Sequence, residues 1–129
     1  MPVRIFKARI GNNLMDKKSS SKFKIFKAKE FDENYKELEK SDKNRVDKIL
    51  NQLTDNGDIT GKPLGMDFFR EKKFGGKRLY YLVYKKVFVI LVVSISNKKA
   101  QQATINEIIK NLAEYQQSVF ETLKKEGLI

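Results

Sequence analysis

The sequence predicts an α+β domain with the element order β-α-α-β-β-β-α. Three observations point there. A short strand-like segment near residue 24 leads into two amphipathic stretches of helical period. A run from Asp67 to Ser96 carries hairpin punctuation, and a long stretch of helical period closes the chain.

Each element has its own justification. Arg4-Ile5-Phe6-Lys7-Ala8-Arg9 and Lys24-Ile25-Phe26-Lys27-Ala28-Lys29 are similar hexamers that read as short strands, separated by small polar residues without a period. Residues 1–21 are therefore expected to be an extension, either an added strand or a flexible basic tail, and residues 22–129 the folded domain. Phe31, Tyr35 and Leu38 fall on one helical face. Ser41 or Asp42 is the expected cap of a second helix, where Val46, Ile49, Leu50 and Leu53 form an apolar stripe ended by Asn56-Gly57. Together the two stripes suit a helical hairpin laid on a sheet. Gly75-Gly76 is a two-residue turn between the strands Phe68–Phe74 and Lys77–Tyr84. Lys85-Lys86 marks a weaker turn before Val87–Ser96, which is apolar on both faces and so belongs at the centre of an antiparallel-rich sheet. Thr104 and Glu107 have capping-box spacing ahead of one long C-terminal helix carrying Ile105, Ile109, Leu112, Val119, Phe120 and Leu123.

Composition narrows the function. The chain has 129 residues, enough for one domain with a core. It has no cysteine and no histidine, which excludes disulfides and thiolate metal sites and removes the commonest acid–base catalyst and metal ligand. Neither metal nor cofactor is expected. The longest apolar run, Val87 to Ile95, is far short of the roughly 20 residues that span a membrane, and no secretory leader is visible, so a cytoplasmic location is expected. The net charge of +11 points to a polyanionic partner. It is segregated: residues 1–29 carry +8, 30–66 carry −3, 67–99 carry +7 and 100–129 carry −1.

The second basic block carries the chemistry. On one strand Arg70 and Lys72 share a face, and Arg78, opening the next strand, is expected to lie beside them. Glu71 can pair with Lys73 or across the strand. Lys73, Lys77, Lys98 and Lys99 add charge at element boundaries, and Tyr81, like Tyr80 and Tyr84, would stack on unpaired bases if it faces solvent. Such a patch suits phosphate binding. RNA cleavage through its own 2′-hydroxyl needs charge stabilisation, which Arg and Lys supply, and a proton carrier, for which a crowded lysine such as Lys72 is the natural choice. A plain solvated sheet face explains the same cations without function.

The stretch Gly76-Lys77-Arg78-Leu79-Tyr80-Tyr81 resembles the Gly-x-Arg-[Leu/Val/Ile]-x-Tyr strand of the RelE/ParE superfamily of type II toxin–antitoxin toxins. Gly61-Lys62-Pro63-Leu64 and the segment Lys99 to Ile108 resemble that superfamily too, the latter its HigB-like branch. The resemblance covers residues 22–109. It implies a ribosome-dependent mRNA endoribonuclease that inhibits translation, with the ribosome, mRNA and a cognate antitoxin protein as partners. By position Arg70, Lys72, Arg78 and Lys98 match the cations that hold and activate the scissile phosphate. The antitoxin would be acidic where it meets the sheet and would also cover apolar surface. ParE-like members, which poison gyrase without cutting nucleic acid, share the fold and form the alternative, as does a non-toxic RNA- or DNA-binding module. One departure stands out. Nuclease members commonly carry Tyr or His just after the last strand, whereas that position falls at or near Thr104 and no aromatic lies between Ile95 and Tyr115. Arg78→Ala is expected to abolish activity with the fold intact, since no buried partner of Arg78 is foreseen.

Overall fold

Apolar side chains on both faces of one strand organise the molecule. In the computed structural model, which describes residues 5–7 and 22–129 (side chains from 22 onward), that strand is β6, Val89–Asn97. It lies between β2 (Lys24–Ala28), to which it is parallel, and β5 (Lys77–Tyr84), to which it is antiparallel. The sheet continues through β4 (Phe69–Phe74) to the two-residue edge strand β3 (Lys62–Pro63), and on the other side β1 (Ile5–Lys7) pairs with β2. The remainder of residues 1–21 lies outside the described residues. Helices α1 (Lys29–Lys36) and α2 (Lys40–Asn56) cover one face, where Phe31, Val46, Ile49 and Leu53 meet Leu79, Tyr81, Ile90 and Val92. Helices α3 (Gln101–Lys110) and α4 (Leu112–Lys125) cover the other, where Ile108, Tyr115, Val119 and Leu123 meet Phe69, Tyr80, Leu91 and Val93. Covering both faces removes β6 and β5 from water, which accounts for their nearly unbroken apolar runs. No helix among the described residues is long and apolar enough to cross a membrane.

The α+β class and the central position of the last strand hold; several local expectations are corrected. Phe88 adopts a left-handed conformation (φ 55°), so Lys85–Val87 form a tight helical turn and the last strand starts at Val89 rather than Val87. Asp42 does not cap α2, which begins at Lys40; its carboxylate accepts hydrogen bonds from Arg45 and Lys77 instead. Thr104 caps nothing, because α3 has already started at Gln101, where Asn97 Oδ1 accepts the Ala100 N–H at 2.9 Å. The C-terminal helix is two helices. At Asn111 (φ −106°, ψ 14°) the side chain donates to the Glu107 carbonyl, and this local bond competes with helix continuation. Gly57 after α2 keeps a right-handed φ of −60°. It is needed for space, since a Cβ there would sit 1.9 Å from Ile90 Cδ1.

Candidate nucleic-acid interface

Register decides which cations meet. The Gly75-Gly76 turn, with Gly75 at φ 55°, pairs Phe74 with Lys77 and therefore Lys73 with Arg78, Lys72 with Leu79, and Arg70 with Tyr81. Residues directly opposite share a face. Arg78, Lys73, Glu71 and Tyr80 consequently lie on the α3 side of the sheet, and Arg70, Lys72 and Tyr81 on the α2 side. The expected convergence of Arg70, Lys72 and Arg78 on one face is thereby corrected.

On the α2 side Arg70, Lys77 and Arg45 are structurally engaged, whereas Lys72 makes no ion pair among the described residues. Arg70 is 6% exposed. Its Nε donates to the Thr60 carbonyl at 3.0 Å and Nη2 to the Gly61 carbonyl at 3.1 Å. Nη1 reaches both the carbonyl (3.1 Å) and the carboxylate (3.0 Å) of Asp67. This arginine pins the loop between α2 and β4. Tyr81 is fully buried and donates its hydroxyl to the Thr60 carbonyl, and burial pushes the phenol up to about 12. With no ring face open it cannot stack on a base, which corrects that expectation. Tyr80 is likewise sealed in the core, so stacking by this strand is confined to Tyr84 at most. Lys77 reaches Asp42 of α2 at 3.0 Å, and Arg45 reaches the same carboxylate at 2.9 Å. The bond from Lys77, ahead of that from Arg45, holds Asp42 below its ordinary range. Lys72 is half-buried at the margin of this face.

The α3 side is different. Arg78 is 8% exposed and faces Glu71, 3% exposed, yet Arg78 Nε stands 3.7 Å from Glu71 Oε1. That is too long for the 2.7–2.9 Å typical of a charge-assisted bond, and Arg78 Nε has no hydrogen-bond partner among the described residues. Glu71 is held instead by Gln101 at the start of α3, whose Nε2 lies 3.1 and 3.4 Å from the two carboxylate oxygens. Tyr80 shares a 2.8 Å hydrogen bond with Ser96 on β6; its phenol is raised chiefly by burial, with the Ser96 bond opposing. The pairing of Lys77 with Asn97 brings the loop carrying Lys98 and Lys99 to this same end of the sheet. Lys73, Lys98 and Lys99 are exposed, and none is ion-paired among the described residues.

Glu71, Gln101, Tyr80 and Ser96 were not foreseen as a network. The odd parity of Glu71 and Arg78 across a two-residue turn was the available signal. Thr104, in the place of the missing aromatic, lines a groove of about 880 Å³ between α1 and α3 together with Glu30, Glu107 and Tyr115. Tyr115 does return onto this face of the sheet on α4, but the charged groups beside it are Glu30, Glu107 and Glu114 rather than Arg78.

No protein-family model and no curated protein matches the chain. Solved structures do. A mutant of the E. coli toxin RelE in complex with an antitoxin RelBc peptide is 20% identical, with 67% of this chain and 94% of that one covered at a TM-score of 0.55. The isolated E. coli RelE toxin is 19% identical, covering 65% and 96%, at 0.52. Nearly the whole length of each neighbour is matched by the sheet and helices described above: this chain has the fold of the RelE toxin.

Proposed function

We propose that the protein is the toxin of a toxin–antitoxin pair and acts in the cytoplasm as a ribosome-dependent mRNA endoribonuclease, restrained by a cognate antitoxin. The observation that carries this reading is Arg78: on a RelE-like sheet, a buried guanidinium has an unbonded Nε and a loosely held counter-ion, with exposed Lys73, Lys98 and Lys99 at the same end. A buried donor without a partner is destabilising until a ligand supplies one, and a phosphate oxygen fits both its charge and its geometry. Arg78 would stabilise the charge that builds on the scissile phosphate as the neighbouring 2′-hydroxyl attacks, its proton passing to water and the P–O5′ bond breaking to leave a 2′,3′-cyclic phosphate and a 5′-hydroxyl, while Lys73, Lys98 and Lys99 neutralise flanking phosphates. Arg70 is committed to its loop and Lys72 sits on the opposite face, so charge stabilisation rather than a lysine base is the role this geometry supports. The RelBc-bound neighbour supports an antitoxin partner, and an acidic contacting segment would match the free lysines.

The test is expression in cells of the wild type and of the exposed triple variant Lys73→Glu/Lys98→Glu/Lys99→Glu. Growth arrest with codon-positioned cuts mapped by primer extension is expected from the wild type, and neither from the variant. Arrest with intact messages refutes the nuclease. The absence of an aromatic at Thr104 favours a ParE-like inhibitor as the second reading, which a supercoiling assay with purified gyrase identifies. Salt-sensitive nucleic-acid binding without growth arrest would mark a non-toxic module.

A further inference from the structure

Arg78 and Glu71 are opposite charges buried side by side that do not close on each other. Their 3.7 Å separation leaves Arg78 Nε unpaired, although nothing in the chemistry of the two groups prevents a bond nearly an ångström shorter. The structural reason is a second donor on the same carboxylate. Gln101 projects from the first residue of α3 and gives its amide N–H to Glu71, nearer to Oε1 (3.1 Å) than to Oε2 (3.4 Å). The oxygen it holds more closely is the one that faces Arg78.

We propose that Gln101 is a positioning residue: by holding the Glu71 carboxylate it keeps that internal anion from closing on Arg78, and so leaves the buried guanidinium uncommitted to an internal anion when a phosphate oxygen arrives. This rests on Arg78 as the phosphate-binding residue and deepens that reading by assigning what sets its availability. Without Gln101, Glu71 loses its described donor while remaining buried, and the nearest replacement is Arg78. A phosphate must then displace a closed, charge-assisted pair rather than enter beside an open one. Without the charge on Glu71 there is nothing to hold back, and the identity of residue 101 ceases to matter for anion binding.

The Nε–Hε resonance of Arg78, assigned from an Arg78→Lys control, reads this directly. Wild-type protein and the variants Gln101→Ala, Glu71→Gln and Glu71→Gln/Gln101→Ala are titrated with inorganic phosphate in a non-phosphate buffer of low ionic strength, after thermal melts have shown each to be folded. The wild-type resonance should move and saturate. Gln101→Ala should need about tenfold more phosphate, the worth of one charge-assisted hydrogen bond. Glu71→Gln should need less than the wild type, and the double variant should match Glu71→Gln, because Gln101 acts only through the charged Glu71. A merely structural role for Gln101 would lower stability without this dependence on residue 71. The proposal is overturned if Gln101→Ala titrates like the wild type, or if its loss persists undiminished in the Glu71→Gln background; Arg78 then still binds phosphate and only the role of Gln101 falls. No response of Arg78 in any variant overturns the proposal together with Arg78 as the phosphate residue. Intact messages in cells alongside the expected titrations would remove the nuclease reading and leave this inference standing.

Discussion

Arg78→Ala should destabilise the protein, contrary to what the sequence leads one to expect. The substitution strips the counter-charge from Glu71, which is 3% exposed and cannot recover its hydration without opening the α3 side of the sheet. Breaking a buried pair from one side costs about 3–5 kcal/mol. Two features place this case at the lower end. The pair is loose at 3.7 Å, and Gln101 continues to donate to the carboxylate. A loss of about 3 kcal/mol follows, which for a domain of this size lowers the melting temperature by roughly 10 °C. Adding Glu71→Gln to Arg78→Ala removes the stranded charge, while the new amide can still bond to Gln101, so the double variant should regain more than half of the loss. Circular dichroism melts and urea titrations of the two variants and the wild type measure both numbers. A change of less than about 0.5 kcal/mol in Arg78→Ala, or no recovery in the double variant, would show that Glu71 is solvated or neutral in the native protein and that the buried ion pair is misjudged.

Arg70→Met keeps the aliphatic stem but removes four hydrogen bonds to Thr60, Gly61 and Asp67, leaving only the Tyr81 hydroxyl on the Thr60 carbonyl; a loss of about 2–4 kcal/mol is expected, with faster amide exchange across residues 60–67. Asp42 is held below its ordinary value by the bond from Lys77 first and by Arg45 next, so it stabilises the fold above that range. The stability gap between wild type and Asp42→Asn should be full at neutral pH, begin to shrink as the pH falls past 3.8, and vanish below the lowered native value. A gap that grows in acid would contradict this sign. Gly57→Ala drives a Cβ to 1.9 Å from Ile90 Cδ1 and 2.7 Å from the Leu53 carbonyl and should cost about 1–3 kcal/mol. Ile90→Val deletes the first of those clashes, so equilibrium unfolding of the double variant should show a smaller penalty than the sum of the two singles.

Much of the fold was legible because it rests on periodicity. The two apolar faces of Val89–Val93, the stripe Val46-Ile49-Leu53 and the Gly75-Gly76 turn each act locally, and each stands in the structure. Register places Arg78. A two-residue turn fixes Phe74 opposite Lys77, and parity then places Lys73, not Lys72, opposite Arg78; that step was available from the spacing alone. Other features were not available. The loop carbonyls that bind Arg70 have no side-chain signature. Neither has the bulge that leaves Val93 without a partner and turns Ile95 back toward the α2 face, since β5–β6 pairing passes from Tyr80–Ser94 to Tyr81–Val92. Gln101 looked like one polar residue among several ahead of a helix. Only the approach of α3 to β4 gives it a partner 30 residues away in sequence.

The two faces of the same hairpin handle Arg70 and Arg78 in different ways, and the difference bears on where an external anion would be stabilised. Toward α2, Lys77 and Arg45 share one carboxylate at normal distances and Arg70 has its donors filled by backbone and side-chain oxygens. Those charges are satisfied by the fold itself, so no external anion is required to complete them. Toward α3, a guanidinium equally shielded from water is left with a buried Nε that no described residue hydrogen-bonds, beside lysines that no described carboxylate neutralises. Packing alone would select against that arrangement, because burying a donor without a partner costs free energy that a smaller apolar side chain would avoid. An anion arriving from outside removes the penalty and gains the charge-assisted bond together, which makes the α3 side of the β4–β5 hairpin the place where a phosphate changes the energetics most.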